Sequence, residues 1–416
     1  MSRKEPAVLV RGLLRWGILL CFLLTLMLAG GCSGETLPTE ADETPPTEPE
    51  EPEPEPEEEP LFSRYVALGS DLTAGVQAGG INQTTQNESY AALVAQAIGV
   101  EFNVPLIEMP GCPPPITDAF TGERLGEEGS CSGLVEPVPS VLHNLAGPGA
   151  RIDDLLRQPG EEAPENPMNT LMLGGRTQLE ALAEAKPTFV SVWFGTEHLT
   201  EYMRVGEDTG AENPWSSIRS RMTSLLDSLE ALGVRGGAVI GIPFLHAYLP
   251  YWSTGPAYVE AKEQGLLPAT FGVDPSCEDP FRGGPIVPFS YGFGELMTRA
   301  RAGEEVLLDC ANDERVFSPL AWEVVVNSQP FVNEQIADAA RERGWAFVYM
   351  LDFEAFSDPV LCTVPAFPNL PDSSEPPFGG CISLDGRRPS ALGHEIIAKR
   401  VLAAINETYD TSFTLK

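Results

Sequence analysis

Lysine is almost missing from this chain of 416 residues. Lysine and arginine together number 26 against 60 acids, and only five of them are lysine, which leaves a net charge of −34. That balance argues against nucleic acid as a partner, because phosphate contacts need a basic surface. It is shared by proteins adapted to high salt and by acidic exported proteins, and composition does not separate the two. Histidine is equally scarce. The four positions His143, His198, His246 and His394 are the only places for imidazole chemistry. No C-x-x-C spacing occurs, which removes the usual zinc arrangement, and no metal or cofactor is expected. No internal repeat is visible. The most apolar run, 16–28, is shorter than the roughly 20 residues of a comfortable membrane span. What remains is ample: 43% hydrophobic residues support a real core.

The first 31 residues read as a targeting segment. Arg3, Lys4, Arg11 and Arg15 precede the apolar run. Ala29-Gly30-Gly31-Cys32 then resembles a bacterial lipobox, which implies acylation of Cys32 and a membrane partner through that lipid. Residues 32–60 follow as a Pro/Glu tether. Twelve acids and no base lie between Cys32 and Leu61, so the segment self-repels and buries no core. The acidic stretch after the cysteine is similar to surface-export signals of some Gram-negative lipoproteins. The expectation is an exported, lipid-anchored protein of the bacterial envelope, at the outer membrane or cell surface, and a monomer.

Six cysteines lie beyond the tether: Cys112, Cys131, Cys277, Cys310, Cys362 and Cys381. An even number in an exported chain suggests disulfides. Fifteen pairings are open, and spacing alone does not decide among them. Sequential pairing is the expectation, since each bridge then closes a local loop.

From residue 61 on, strands alternate with helices, which implies one parallel sheet covered on both faces. Strands are expected at 64–68, 104–107, 188–194, 238–242 and 345–351. Helices are expected at 89–98, 151–156, 216–232, 331–343 and 391–405 from their apolar spacing. Residues 110–135 read as a loop. Residues 243–315 read as a long insertion, a candidate lid or binding surface. Phe244, Tyr248, Tyr251 and Trp252 follow a strand on the side where α/β folds bind ligands, and are candidates to line a cleft.

The stretch 65–75, Y-V-A-L-G-S-D-L-T-A-G, resembles the first block of the SGNH, or GDSL, hydrolases, where G-D-S-L presents a nucleophilic serine after the first strand. Three further blocks agree in order and spacing: N-L-A-G-P-G-A at 144–150, G-T-E-H-L at 195–199 and D-G-R-R-P at 385–389. The resemblance covers nearly all of 61–408 and implies a flavodoxin-like three-layer α/β/α sandwich with about five parallel strands and long loop insertions. Residue by residue, it places Gly149 at the oxyanion-hole glycine and Asp385 at the acid behind the base. The other positions are changed. Asp71 stands for the serine, with Ser70 beside it, Glu197 for the oxyanion-donating asparagine, and Arg388 for the histidine. An arginine cannot act as a general base near neutrality. A carboxylate replaces a donor that typically contributes about 10²–10³ in rate.

The replacements suit one another, and an Asp71–Arg388 ion pair backed by Asp385 is expected. Three rescues were open on the sequence: His198 serving Ser70 or Asp71, an Asp71–Glu197 carboxylate pair, and a metal held by Asp71, Glu197 and His198. Each is weaker than the degenerate reading. The expected function is ligand or partner binding at the envelope on a catalytically degenerate scaffold, with an acyl, ester or glycan ligand. The alternative is an ester or acyl hydrolase, of lipase, esterase or glycan-deacetylase type, with a non-standard site.

Overall fold

The computed structural model describes residues 58–119, 121–127, 129–156, 166–199, 214–243, 252–281, 284–350, 362 and 377–416, with backbone alone at 214–217, 252 and 290. The leader, Cys32 and most of the tether therefore lie outside the described residues, as do Phe244, Tyr248 and Tyr251. Trp252 is described only as the first residue of a strand. No helix among the described residues is long and apolar enough to cross a membrane.

The centre is a parallel sheet of β1 (Tyr65–Gly69), β2 (Phe189–Trp193), β3 (Gly236–Ile240) and β8 (Ala346–Val348), in the order β1-β2-β3-β8. The first three are buried along their whole length. That is why they read as continuous apolar runs rather than alternating ones. The strand expected at 104–107 does not form; Ile107 makes only an isolated bridge to Leu134. The free edge of β1 is covered instead by the segment at 143–147. Ala67 N–H donates to His143 O (2.8 Å), Leu145 N–H to Ala67 O (2.9 Å) and Gly147 N–H to Gly69 O (3.3 Å). With this edge segment the order is 2-1-3-4-5, the flavodoxin-like arrangement. The segment carries Asn144 and Gly147 and runs directly into Pro148, so its composition reads as a turn.

Two pairs of packed helices flank β3 and β8: Tyr90–Ile98 with Ala391–Tyr409, and Pro214–Ala231 with Pro319–Glu342. A helix from each pair touches both strands, which gives three layers. The Pro319–Glu342 helix is twice as long as the 331–343 reading, because it runs through Pro330. Proline costs a helix interior about 3 kcal/mol. The first half of this helix offsets that by tertiary contacts. Ala321, Trp322 and Val325 are buried. Gln329 Nε2 donates to Ile242 O (2.8 Å), and Asn333 bonds both Ile242 N and O at 2.8 Å. These amides satisfy the backbone that leaves β3.

The insertion is a folded unit rather than a loop. β4 (Trp252–Thr254) pairs antiparallel with β6 (Ile286–Pro288), and β5 (Phe271–Val273) pairs parallel with β7 (Val306–Leu308). The Cys277–Cys310 disulfide lies within it. The other two bridges are Cys112–Cys131 and Cys362–Cys381, so the pairing is sequential as the sequence suggested.

Candidate functional site

The site begins where β1 ends. Gly69 is clamped on both backbone groups by Gln178, which accepts from its N–H (3.0 Å) and donates to its O (2.8 Å). A side chain at position 69 would place Cβ 2.1 Å from Thr73 Oγ1, so only glycine allows the chain to turn this tightly. Ser70 stands at the N-terminal boundary, without a side-chain capping bond, of a single helical turn, Asp71–Ala74, which stops at Gly75 in the left-handed region (φ 89°). Asn144 Nδ2 donates to Thr73 O (3.0 Å), and Thr73 Oγ1 meets Tyr90 OH at 3.0 Å. The turn is held from three sides, and Asp71 projects from its first position.

Asp71 is buried at 6% exposure. Its Oδ1 accepts the Gly149 N–H at 2.7 Å, and its Oδ2 accepts Arg388 Nε at 2.9 Å together with Arg388 Nη2. Behind the arginine, Nη1 donates to Asp385 Oδ2 at 2.8 Å. Asp385 is itself fully engaged. Its Oδ2 also accepts Gly79 N–H (2.9 Å). Its Oδ1 accepts the backbone N–H groups of Arg387 and Arg388 (both 2.9 Å) and lies 3.0 Å from Ser383 Oγ. The expected Asp71–Arg388–Asp385 constellation is therefore present. Burial works against the charge on Asp71. Arg388 and Arg387, with hydrogen bonds from Arg388 and Gly149, outweigh it and hold its carboxyl below the usual range. The two carboxylates in turn raise the guanidinium of Arg388 against the effect of burial.

Glu197 faces a different partner. Its carboxylate lies 3.6 Å from Arg387 Nη2, a residue the sequence reading left aside although it stands in D-G-R-R-P. Burial and the neighbouring charge of Asp71 raise the Glu197 carboxyl despite Arg387, Arg388 and Arg151. A carboxyl raised in the folded state gives up its proton at a cost above its unfolded value of 4.5, and the cost disappears below it. Glu197→Gln should therefore unfold at higher urea than the parent at pH ~7, with the gap closing near pH ~4. A variant less stable than the parent at neutrality would show that the Arg387 contact dominates.

His198 does not serve the turn. Its Nε2 lies 3.8 Å from Asp153, which is paired with Arg221 Nε at 2.7 Å. Neither ring nitrogen has a hydrogen-bond partner among the described residues. Burial lowers its pKa to about 4 despite Asp153, so the ring is neutral. Ser70 Oγ is buried and likewise without a partner there. The other described histidines are structural. His143 Nδ1 accepts Asn103 N–H (2.9 Å), and His394 Nδ1 accepts Tyr90 N–H (3.3 Å). No cluster of three or more metal-ligating side chains occurs among the described residues.

Phe289 meets Phe378 edge-on at 4.4 Å, and the Phe378 ring lies under Gly386, where a Cβ would come within 2.9 Å.

No protein-family model matches the chain. No curated protein matches it in sequence. Among solved structures, a mutant of the acetyl-xylooligosaccharide esterase Axe2 from Geobacillus is similar over 82% of this chain and 94% of its own, at 12% identity and a TM-score of 0.37. A putative GDSL-like lipase from Parabacteroides merdae is similar over 82% and 95%, at 9% identity and 0.34. An extracellular lipase from Streptomyces rimosus is similar over 83% and 99%, at 15% identity and 0.35. The fold assignment rests on the strand order and the helix layers rather than on these scores.

Proposed function

We propose that this chain is an SGNH-type hydrolase scaffold whose serine-ester chemistry is extinguished, and that it binds a ligand or partner at a bacterial envelope. One observation supports this above all. The position of the nucleophile holds a carboxylate that takes the Gly149 N–H and the arginine fork at once. Ester attack needs a hydroxyl, a base that can accept its proton, and free donors for the developing oxyanion. Here the hydroxyl and the base are replaced, and the Gly149 donor is already engaged. The ligand class follows from the sequence resemblance: an acyl, ester or glycan group. Acylation of Cys32 and the acidic tether would hold the domain off a membrane.

A second reading uses Asp71 and Glu197. Their environments push the two carboxyls in opposite directions, the pattern of an acid and base pair. Such a pair would make the protein an ester or acyl hydrolase with a non-standard site. Hydrolysis of short- and long-chain p-nitrophenyl esters separates the two. The expected rate equals that of buffer. Turnover above buffer that Asp71→Ala abolishes would establish the second reading and end the first.

A further inference from the structure

Gly149 and Arg388 together form a three-donor cradle: one backbone N–H at 2.7 Å, Nε at 2.9 Å and Nη2, all on the carboxylate of Asp71. The donors come from chain segments far apart in sequence, 149 and 388, and meet only around this one group. The arginine is oriented independently of Asp71, because Asp385 holds its Nη1 at 2.8 Å and the backbone N–H of the same residue at 2.9 Å. The glycine N–H is oriented by its own turn, where Gly149 has φ 74°. Nothing in this arrangement requires that the carboxylate be covalently attached to the chain.

We propose that the cradle is a carboxylate-binding site and that Asp71 is its built-in occupant, an intramolecular ligand that keeps small carboxylates out. This rests on the reading of the site as one whose ester chemistry is extinguished and specifies what its donors hold instead. Removing the side chain while keeping the donors should open the site to free carboxylates. Acetate is the natural probe. Apart from a hydrogen in place of the bond to Cα, it is the aspartate side chain atom for atom, so Asp71→Gly leaves a space of its shape. Formate is the matching probe for Asp71→Ala, in which Cβ remains.

The test is thermal unfolding of the full chain in sodium acetate or formate against sodium chloride at equal concentration. A ligand that binds only the folded state raises the midpoint, logarithmically once its concentration passes its dissociation constant, by about 2 °C at roughly ten times that constant for a domain of this size. The expected result is such a rise for Asp71→Gly with acetate and for Asp71→Ala with formate. None is expected for the parent, nor for Asp71→Asn, which keeps the cradle filled. Adding Arg388→Gln to either opened variant should remove the rise. A variant that is unfolded in chloride and folded in the matching carboxylate supports the proposal equally. Opened variants that respond identically to carboxylate and chloride, or that stay unfolded in both, overturn it, as does an equal rise in the parent. An active parent esterase would end the degenerate reading without touching this result. A failed rescue in an inert parent would end the built-in-ligand proposal alone.

Discussion

Arg388→Ala should destabilise the protein by about 3–5 kcal/mol at neutral pH, the usual cost of leaving a buried charge without its partner. The side chains of Asp71 and Asp385 are each only 8% exposed. Asp385 would keep its contacts to Gly79, Ser383 and the backbone of its own loop. Asp71 would keep the Gly149 N–H and the more distant attraction of Arg387. The loss therefore falls mainly on Asp71. Its pH dependence is distinctive. In the parent, the Asp71 carboxyl lies below its unfolded value of 3.8. Its contribution is present above that value and fades as pH falls through the folded one. In the variant, burial is no longer outweighed by Arg388, and the carboxyl moves up. The gap between the two proteins should be widest near neutrality and narrow below pH ~4. Urea unfolding at several pH values measures it. A cost under about 1 kcal/mol, flat with pH, would mean that water already screens the pair. Asp71→Leu with Arg388→Met should cost far less than the two single changes summed, because the pair is removed without stranding either charge.

The other large effect is a gain. Combining Asp71→Ser, Glu197→Asn and Arg388→His should produce p-nitrophenyl ester hydrolysis at least about 10³-fold above the parent, drawing on a restored base and donor. The structure gives specific reasons to expect it. Gly149 N–H already points at the side chain of position 71 from 2.7 Å. Asp385 already stands 2.8 Å from the side chain of position 388 and is locked by the 383–388 loop. Gln178 fixes the end of β1 whatever residue follows. Because nucleophile and base act as a unit, variants lacking either Asp71→Ser or Arg388→His should stay near background. A folded triple variant with no activity would mean that the cleft around these residues, and not only the residues, has changed.

Local signals were sufficient for much of this protein. The buried strands β1, β2 and β3 announce themselves as apolar runs, the helix at Tyr90–Ile98 by its period, and the candidate site by four short motifs in order. An arginine and an aspartate at the positions that the resemblance assigns to a base and a hydroxyl already suggest that the two meet. The edge segment at 143–147 was not legible, because Gly147 and the Pro148-Gly149 that follows say turn while its hydrogen bonds run to β1. The first half of the Pro319–Glu342 helix was not legible either, because Pro330 marks a break that only Gln329, Asn333 and the core behind them overrule. Arg387 as the partner of Glu197, and Asp153 as the neighbour of His198, depend on distances between separate segments that no spacing encodes.

The sequence by itself determined which side chains stand in the four motifs, and side-chain identity sets what can accept a proton or attack a carbonyl. Tertiary structure alone decided what those side chains meet. The Gly149 N–H, the fork of Arg388 and the carboxylate of Asp71 come from three separate segments. Only the parallel packing of β1 with its neighbours brings those segments to one end of the sheet. There burial makes a charge costly, and convergence of its partners offsets that cost.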